Sequence, residues 1–275
     1  MATAVSAFDQ NRTELQSEPN HKYILYVDSA ERYIQHAQWT RAEEMIRKAL
    51  RLSPANPVNT MLFSNLGVCL SAQEKYEDAL EAFEIALIRN PRSAITLSSR
   101  GRTYIALKRD KEALDDFNAA LALDSTLQQT RQLRAHILMI NGNIDEAKQD
   151  FLSLTRQYPL DYNGPYGLGQ CAEIEGNITE ALQYYKDAAT IEQNTEHQPD
   201  IIVAIARTMI DSNMLNEADD VVREGIRQFP RHGMLYLMRA WLHRLRFQNE
   251  DEKIDKKLAR EYGVEPQIID LYIPD

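Results

Sequence analysis

The hydrophobic positions of this chain fall on helical spacing, and the pattern they make recurs. In "YEDALEAFEIALIRNP", from Tyr76 to Pro91, Ala79, Phe83 and Ala86 lie four and three residues apart. That spacing puts them on one face of a helix, which the proline closes. Five other segments align with it. They are "RAEEMIRKALRLSP" from Arg41, "DKEALDDFNAALALDS" from Asp110, "IDEAKQDFLSLTRQYP" from Ile144, "ITEALQYYKDAATIEQ" from Ile178 and "LNEADDVVREGIRQFP" from Leu215. Their anchoring alanines, Ala42, Ala79, Ala113, Ala147, Ala181 and Ala218, are separated by 37, 34, 34, 34 and 37 residues. The two longer intervals add three residues near Asn56 and near Glu196, and those residues are expected in loops between units.

Each of these segments has a partner half before it. A small residue recurs at the eighth place of the unit: Ala30, Gly67, Gly101, Ala135, Gly169 and Ala206. An apolar residue follows three places on at Tyr33, Leu70, Tyr104, Leu138 and Met209, with Ala172 the exception. A small residue lets a neighbouring helix approach, and a bulky one fills the groove beside it. Two helices per unit, each small then large, predict an antiparallel hairpin. Gly142 and Gly176 stand where the first helix needs a left-handed C-terminal cap, and "SNM" at Ser212 has similar turn chemistry. Pro54, Pro91, Pro159 and Pro230 end the second helices or lie just past them. One hairpin cannot bury its apolar face alone, so the copies must stack.

This arrangement resembles the tetratricopeptide repeat family. The resemblance covers six units, 23–56, 60–93, 94–127, 128–161, 162–195 and 199–232, together residues 23–232. A degenerate seventh starts at Gly233, with Tyr236, Ala240 and His243 in first-helix places. The tryptophan often found at the fourth place is absent. Tyr26, Phe63 and Tyr236 substitute for it, and Pro165 stands there in the fifth unit. The resemblance implies an all-α fold, a right-handed α-solenoid of antiparallel helix hairpins wound as a superhelix. Beyond Phe247, "NEDEKIDKKLAREYG" reads as one charged capping helix with Ile254, Leu258 and Tyr262 as its apolar stripe. The apolar tail "VEPQIIDLYIPD" either folds back on the last unit or adds to a partner. The division is therefore an N-terminal segment 1–22, expected to be partly disordered, the six units, and a C-terminal part 233–275.

Composition narrows the functional classes. The 275 residues carry a formal charge of −10, with 44% hydrophobic and 26% charged. Such a chain lacks the clustered positive field of a nucleic-acid binder, and no run of apolar residues is long enough to span a membrane. The start has no basic stretch leading into an apolar core, so the expected location is the cytoplasm. Two cysteines, Cys69 and Cys171, fall at the tenth place of first helices and are expected to be buried and inert. Six histidines show no ligand spacing, so neither metal nor cofactor is expected. No hydrolase, zinc-protease or phosphate-loop motif occurs, and the expectation is a chain that is not an enzyme. "GPYGLGQ" from Gly164 is glycine-rich, but Gly169 is already an eighth-place packing residue. Asp115 and Asp116 read as a solvated second-helix surface.

In the resembled family the first helices line a concave face that carries ligand peptides at the second, fifth, ninth and twelfth places. The ninth places here are Glu31, Val68, Arg102, His136, Gln170, Arg207 and Trp241, and Tyr166 holds a fifth place. The candidate protein-binding residues are thus Arg102, His136, Tyr166, Gln170, Arg207 and Trp241, an aromatic and cationic second half. Arg207 also has a plainer reading, an ion pair with Asp211 four residues on. The family's two-carboxylate clamp is not expected in the first three units. Val27 and Glu31 replace its Lys and Asn, and Ile95 and Ser99 replace its basic pair. The expected function is a non-catalytic scaffold or adaptor that binds a peptide or protein segment. The alternative is a structural subunit forming a homo-oligomer through its terminal units or an exposed "IIDLYI" tail.

Overall fold

Apolar residues at helical spacing, punctuated by prolines and turn residues, give fifteen helices and no strand among the described residues of the computed structural model, 18–193 and 195–274. In chain order these are α1 Glu18–Gln35, α2 Trp39–Leu52, α3 Asn59–Ser71, α4 Tyr76–Arg89, α5 Ala94–Ala106, α6 Asp110–Leu123 and α7 Gln128–Ile140. They continue with α8 Ile144–Gln157, α9 Asn163–Ile174, α10 Ile178–Ile191, α11 Gln198–Asp211, α12 Leu215–Gln228, α13 Gly233–Leu245, α14 Asn249–Glu261 and α15 Pro266–Tyr272. Odd and even helices pair as hairpins up to α13/α14, and α15 follows alone. The chain divides into two compact units, one up to Arg134 and one from Ala135, with the division inside α7. Helix α1 begins at Glu18, with Pro19 at its second position, where a missing N–H costs nothing. Of the segment 1–22, residues 18–22 are therefore helical, and 1–17 lie outside the described residues.

The turn within every hairpin is the same. A left-handed residue closes each first helix: Ala37, Glu74, Lys108, Gly142, Gly176, Asn213 and Phe247, with φ between 52° and 81°. The next residue donates its N–H back across the turn, as from Lys75 to the Leu70 carbonyl at 2.9 Å and from Asn143 to that of Leu138 at 2.8 Å. This satisfies a helix-end carbonyl that would otherwise have no partner. Only Gly142, Gly176 and Asn213 signal the turn in the sequence. At the other four the hairpin imposes a conformation that costs an L-residue about 1–2 kcal/mol.

The helices of a hairpin meet through a glycine under a ring. A Cβ built on Gly67 would lie 2.6 Å from Phe83, on Gly101 2.5 Å from Phe117, and on Gly169 2.6 Å from Tyr185. All three rings are fully buried. Where the eighth residue is alanine, in the first and sixth hairpins, the residue at the ring position is smaller, Ile46 and Val222. The fourth hairpin has Ala135 and still carries Phe151. Its ring lies over Gly167 of the following hairpin instead, 2.2 Å from where a Cβ would stand. Gly164 is likewise pressed against the Thr155 backbone. All three glycines of "GPYGLGQ" are thus packing residues.

Two sequence expectations are corrected here. Asp116 is not solvated. It is 5% exposed, and Arg100 of α5 grips it with two bonds of 2.7 and 2.8 Å. An aspartate at that face of a second helix is buried whenever the first helix sends a guanidinium to meet it. The same fork recurs between Arg239 and Asp255, at 2.7 Å for both bonds. The second correction concerns α14, which is the second helix of a seventh hairpin. Its buried residues are Glu252, Asp255, Lys256 and Ala259, while Ile254 is 57% exposed. The ion pair with Arg239, rather than an apolar stripe through Ile254, sets which face turns inward.

Three outcomes follow. Gly101→Ala should destabilise the fold by about 1–2 kcal/mol in urea denaturation, because overpacking against Phe117 outweighs the gain in helix propensity. Phe117→Ile in the same chain should recover part of that loss, giving a favourable coupling in the double-mutant cycle. Asp116→Ala should cost about 2–3 kcal/mol by leaving a largely buried guanidinium without its acid, whereas Asp115→Ala should fall within about 0.5 kcal/mol of the parent. Burial pushes the Cys69 thiol up to about 12 and the Cys171 thiol up to about 11. Both stay protonated at pH 8, so a thiol reagent should label them only at the rate of unfolding.

Candidate functional site

In the first unit, hydroxyl pairs join successive first helices. Thr96 donates to Ser64 at 2.9 Å, Thr103 to Ser71 at 3.0 Å, and Ser98 and Thr130 share a bond of 2.6 Å. All three threonines are buried. These pairs fix the spacing of α3, α5 and the start of α7, and so hold two hollows open along their faces. One, of about 380 Å³, is walled by Trp39, Val68, Tyr76, Phe83 and Arg102. The other, of about 320 Å³, is walled by Ile95, Ser98, Leu127, Gln129 and again Arg102. Ile95, which edges the second hollow, exposes 69% of its surface, and Met61, at the second place of the preceding unit, exposes 51%. Arg102 stands between the hollows. It is exposed, and its single hydrogen bond is a long one of 3.4 Å to Gln129 Oε1. No carboxylate among the described residues pairs with it.

The candidates in the second unit are already engaged by their own chain. His136 sets its ring edge-on to Phe151, with centroids 5.4 Å apart. Burial pushes its pKa down, so near pH 7 it is a neutral aromatic rather than a cation. Tyr166 packs 5.4 Å from Tyr185 and 6.1 Å from Tyr162. Arg207 pairs across helices with Glu173 of α9 at 2.7 Å, and not along its own helix with Asp211. Glu173 also accepts from the Tyr185 hydroxyl at 2.8 Å and the Thr208 hydroxyl at 3.1 Å. Burial opposes the charge on Arg207, but Glu173 and the hydroxyls of Tyr185 and Tyr272 hold its guanidinium above its ordinary value. Burial, and then the negative charge of Glu173, push the Tyr185 hydroxyl up, so it serves as a donor. Among the buried atoms of this unit that have no partner in the described residues are Gln170 Oε1 and Arg207 Nε, both on ninth-place side chains.

Trp241 meets the C-terminal tail. Tyr272 of α15 stands edge-on to its ring, centroids 5.4 Å apart. Ile269 and Ile273 are completely buried, so of the two alternatives for the tail the structure has the one that folds back on the last unit. The fold thus gathers Tyr166, Arg207 and Trp241 around Tyr272, while Arg102 serves the hollows of the first unit. Trp39, Tyr76, Glu173 and Tyr272 belong to these sites and were not expected from the sequence. A signal for the first two exists. Both open a second helix, and they are 37 residues apart, one long period. Among the described residues, no group of side chains could hold a metal ion, and no helix is long and apolar enough to cross a membrane.

Comparison with known proteins agrees with this geometry. A tetratricopeptide repeat family model matches residues 70–127 and 133–196. The DnaJ homolog subfamily C member 3 of Mus musculus is 32% identical over 96 residues, 35% of this chain and 19% of that protein. The tetratricopeptide repeat protein 36 homolog of Drosophila pseudoobscura pseudoobscura is 36% identical over 90 residues, 31% of this chain and 48% of that one. The chain therefore spans less than half the length of these relatives. Among solved structures, a tetratricopeptide repeat protein from Parabacteroides merdae ATCC 43184 aligns with TM-score 0.72 at 20% identity, covering 92% of this chain and 98% of its own. YrrB, described as a TPR protein with an unusual peptide-binding site, aligns with TM-score 0.54 at 22% identity over 67% of this chain and 92% of its own. At such identities the structural likeness speaks for the fold. Together with the glycine–ring hairpins and their 34-residue period, the sequence and structural matches identify the matched repeats of this chain as tetratricopeptide repeats.

Proposed function

We propose that the chain is a non-catalytic interaction scaffold that binds a segment of another protein on its first-helix faces. One observation carries this reading. Arg102, which no carboxylate among the described residues pairs with, stands between a hollow with aromatic and aliphatic walls and a mostly polar one edged by exposed Ile95. An arginine beside apolar and aromatic surface is the composition of a binding hot spot. The segment that suits it presents an acidic side chain to the guanidinium and apolar side chains on either side. Each hollow is large enough for one or two such side chains. The peptide-binding site named for YrrB supports the same reading.

The six candidates divide in roles under this proposal. Arg102 contacts the incoming segment directly. Gln170 and Arg207 each offer a buried atom with no partner, an acceptor and a donor, which suit the N–H and C=O groups of an extended backbone. Tyr166 and Trp241 supply aromatic surface, and His136 a neutral ring. A self-associating subunit is the weaker reading, because Ile269 and Ile273 are consumed inside the chain and Leu271 alone of the tail is strongly exposed.

Affinity capture from the source cell, read by mass spectrometry, tests the proposal with three chains: the parent, Arg102→Glu, and Lys111→Glu on the exposed surface of α6. A partner held by the parent and by Lys111→Glu should lose about tenfold or more in affinity for Arg102→Glu, about 1.4 kcal/mol. Its binding to the parent should weaken as salt rises. Equal capture by all three would remove Arg102 and its hollows from the binding surface.

A further inference from the structure

The 34-residue period predicts an eighth first helix one repeat after Gly233, near 267, and α15 begins there, at Pro266. It does not continue the stack. In the six earlier joints the residue that closes the second helix has negative φ: Ser53, Asn90, Asp124, Tyr158, Glu192 and Phe229. In α14 the closing residue, Tyr262, also has negative φ, but the next residue, Gly263, has φ of +92°, a left-handed step that follows none of the other six. The chain is turned back there, and α15 lies against α13 on the side that carries Trp241.

The contacts made there are those of a ligand. Ile269 and Ile273, four residues apart, enter the apolar cluster that includes Leu237 and Trp241. Tyr272, just before the second of them, puts its ring against Trp241, and its hydroxyl is close enough to Arg207 to raise the pKa of the guanidinium. Lys256 Nζ donates to the Ile273 carbonyl at 3.3 Å. That lysine occupies the place where earlier hairpins carry Ile46, Phe83, Phe117, Phe151, Tyr185 and Val222. The last hairpin thus has, in place of a packing ring, a cation that reaches the tail. The docking is also one-sided. A seven-residue helix has no stability of its own, and Leu271 and Ile268 on its outer side remain 76% and 39% exposed. Segments held by so few side chains open at low free energy.

We infer that residues 264–274 are a tethered ligand of the first-helix face of the second unit. An external ligand of that face is a protein segment of the same chemistry, with two bulky aliphatic residues four apart and a tyrosine just before the second. Such a segment binds only when the tail is away. If the tail is docked nine-tenths of the time, it lowers the apparent affinity about tenfold. This inference rests on the reading of first-helix faces as protein-binding surfaces, and it concerns a different surface from the hollows beside Arg102.

The test is a titration of a labelled synthetic peptide, residues 264–274, into the intact chain and into Tyr272→Ala and Ile273→Ala variants, followed by fluorescence anisotropy. Each variant is checked as folded by circular dichroism. The variants should bind the peptide about tenfold more tightly than the parent, and the same peptide with aspartate at the place of Ile269 should not bind. Arg102→Glu in a tail-weakened variant should leave the titration unchanged, which separates this result from the test of the first unit. Amide exchange in the parent should be faster over 264–274 than over α13. Equal affinity for parent and variants, or no binding to any, would overturn the inference. So would a peptide that converts a dimer into monomers, since the tail would then belong to a second copy.

Discussion

The structure depends on how closely the two helices of a hairpin approach, and a glycine lying under a ring decides that distance. At Gly67, Gly101 and Gly169 there is no room for a methyl group, because Phe83, Phe117 and Tyr185 fill the space. The close approach sets the tight left-handed turn that joins the helices, even where the turn residue is Glu74 or Lys108. It also sets where the arginine on one helix meets the aspartate on the other, as in Arg100–Asp116. A packing contact between apolar groups thus positions both the strained backbone and the buried charges, which would each be costly in any other register.

Most of the hairpin was legible in the sequence because it is local and periodic. The alanines, the eighth-place small residues and the prolines are properties of single positions, repeated, and they give the helices to within a residue or two. What remained illegible depends on partners far along the chain. Asp116 looks like Asp115 until Arg100 is placed opposite it, sixteen residues away. Arg207 has Asp211 at helical spacing, yet it pairs with Glu173, thirty-four residues away, because a neighbouring first helix brings that carboxylate closer. The left-handed turns at Ala37, Glu74, Lys108 and Phe247 carry no local signal, since the hairpin rather than the residue selects the conformation. The candidate site was legible as a face but not in its occupancy. Ninth-place residues could be named, but nothing in one helix shows that His136 is uncharged or that Trp241 is covered by Tyr272.

Charge is distributed with the same economy. The chain carries ten more acids than bases, yet its buried acids are matched in place: Asp116 by Arg100, Asp255 by Arg239, Glu173 by Arg207 and two hydroxyls, Asp219 by Arg223 and Arg246. Burial works against ionisation of Asp219, but its two guanidiniums hold the carboxyl below its usual range. The first-helix guanidiniums of Arg100, Arg207 and Arg239 are therefore structural. Arg102, without an acid, is set apart from them by this arrangement and not by its residue type.

The ring of Phe151 bears on how such an array changes in evolution. Where glycine and ring belong to one hairpin, as with Gly101 and Phe117, the hairpin is a self-contained cassette, and its gain or loss leaves the neighbouring cassettes complete. Phe151 instead completes its packing in Gly167 of the next hairpin. A duplication or deletion at that joint would part the ring from its glycine, leaving a void on one side and an overfilled contact on the other. The α7/α8 and α9/α10 hairpins are in this sense a single heritable block of double length.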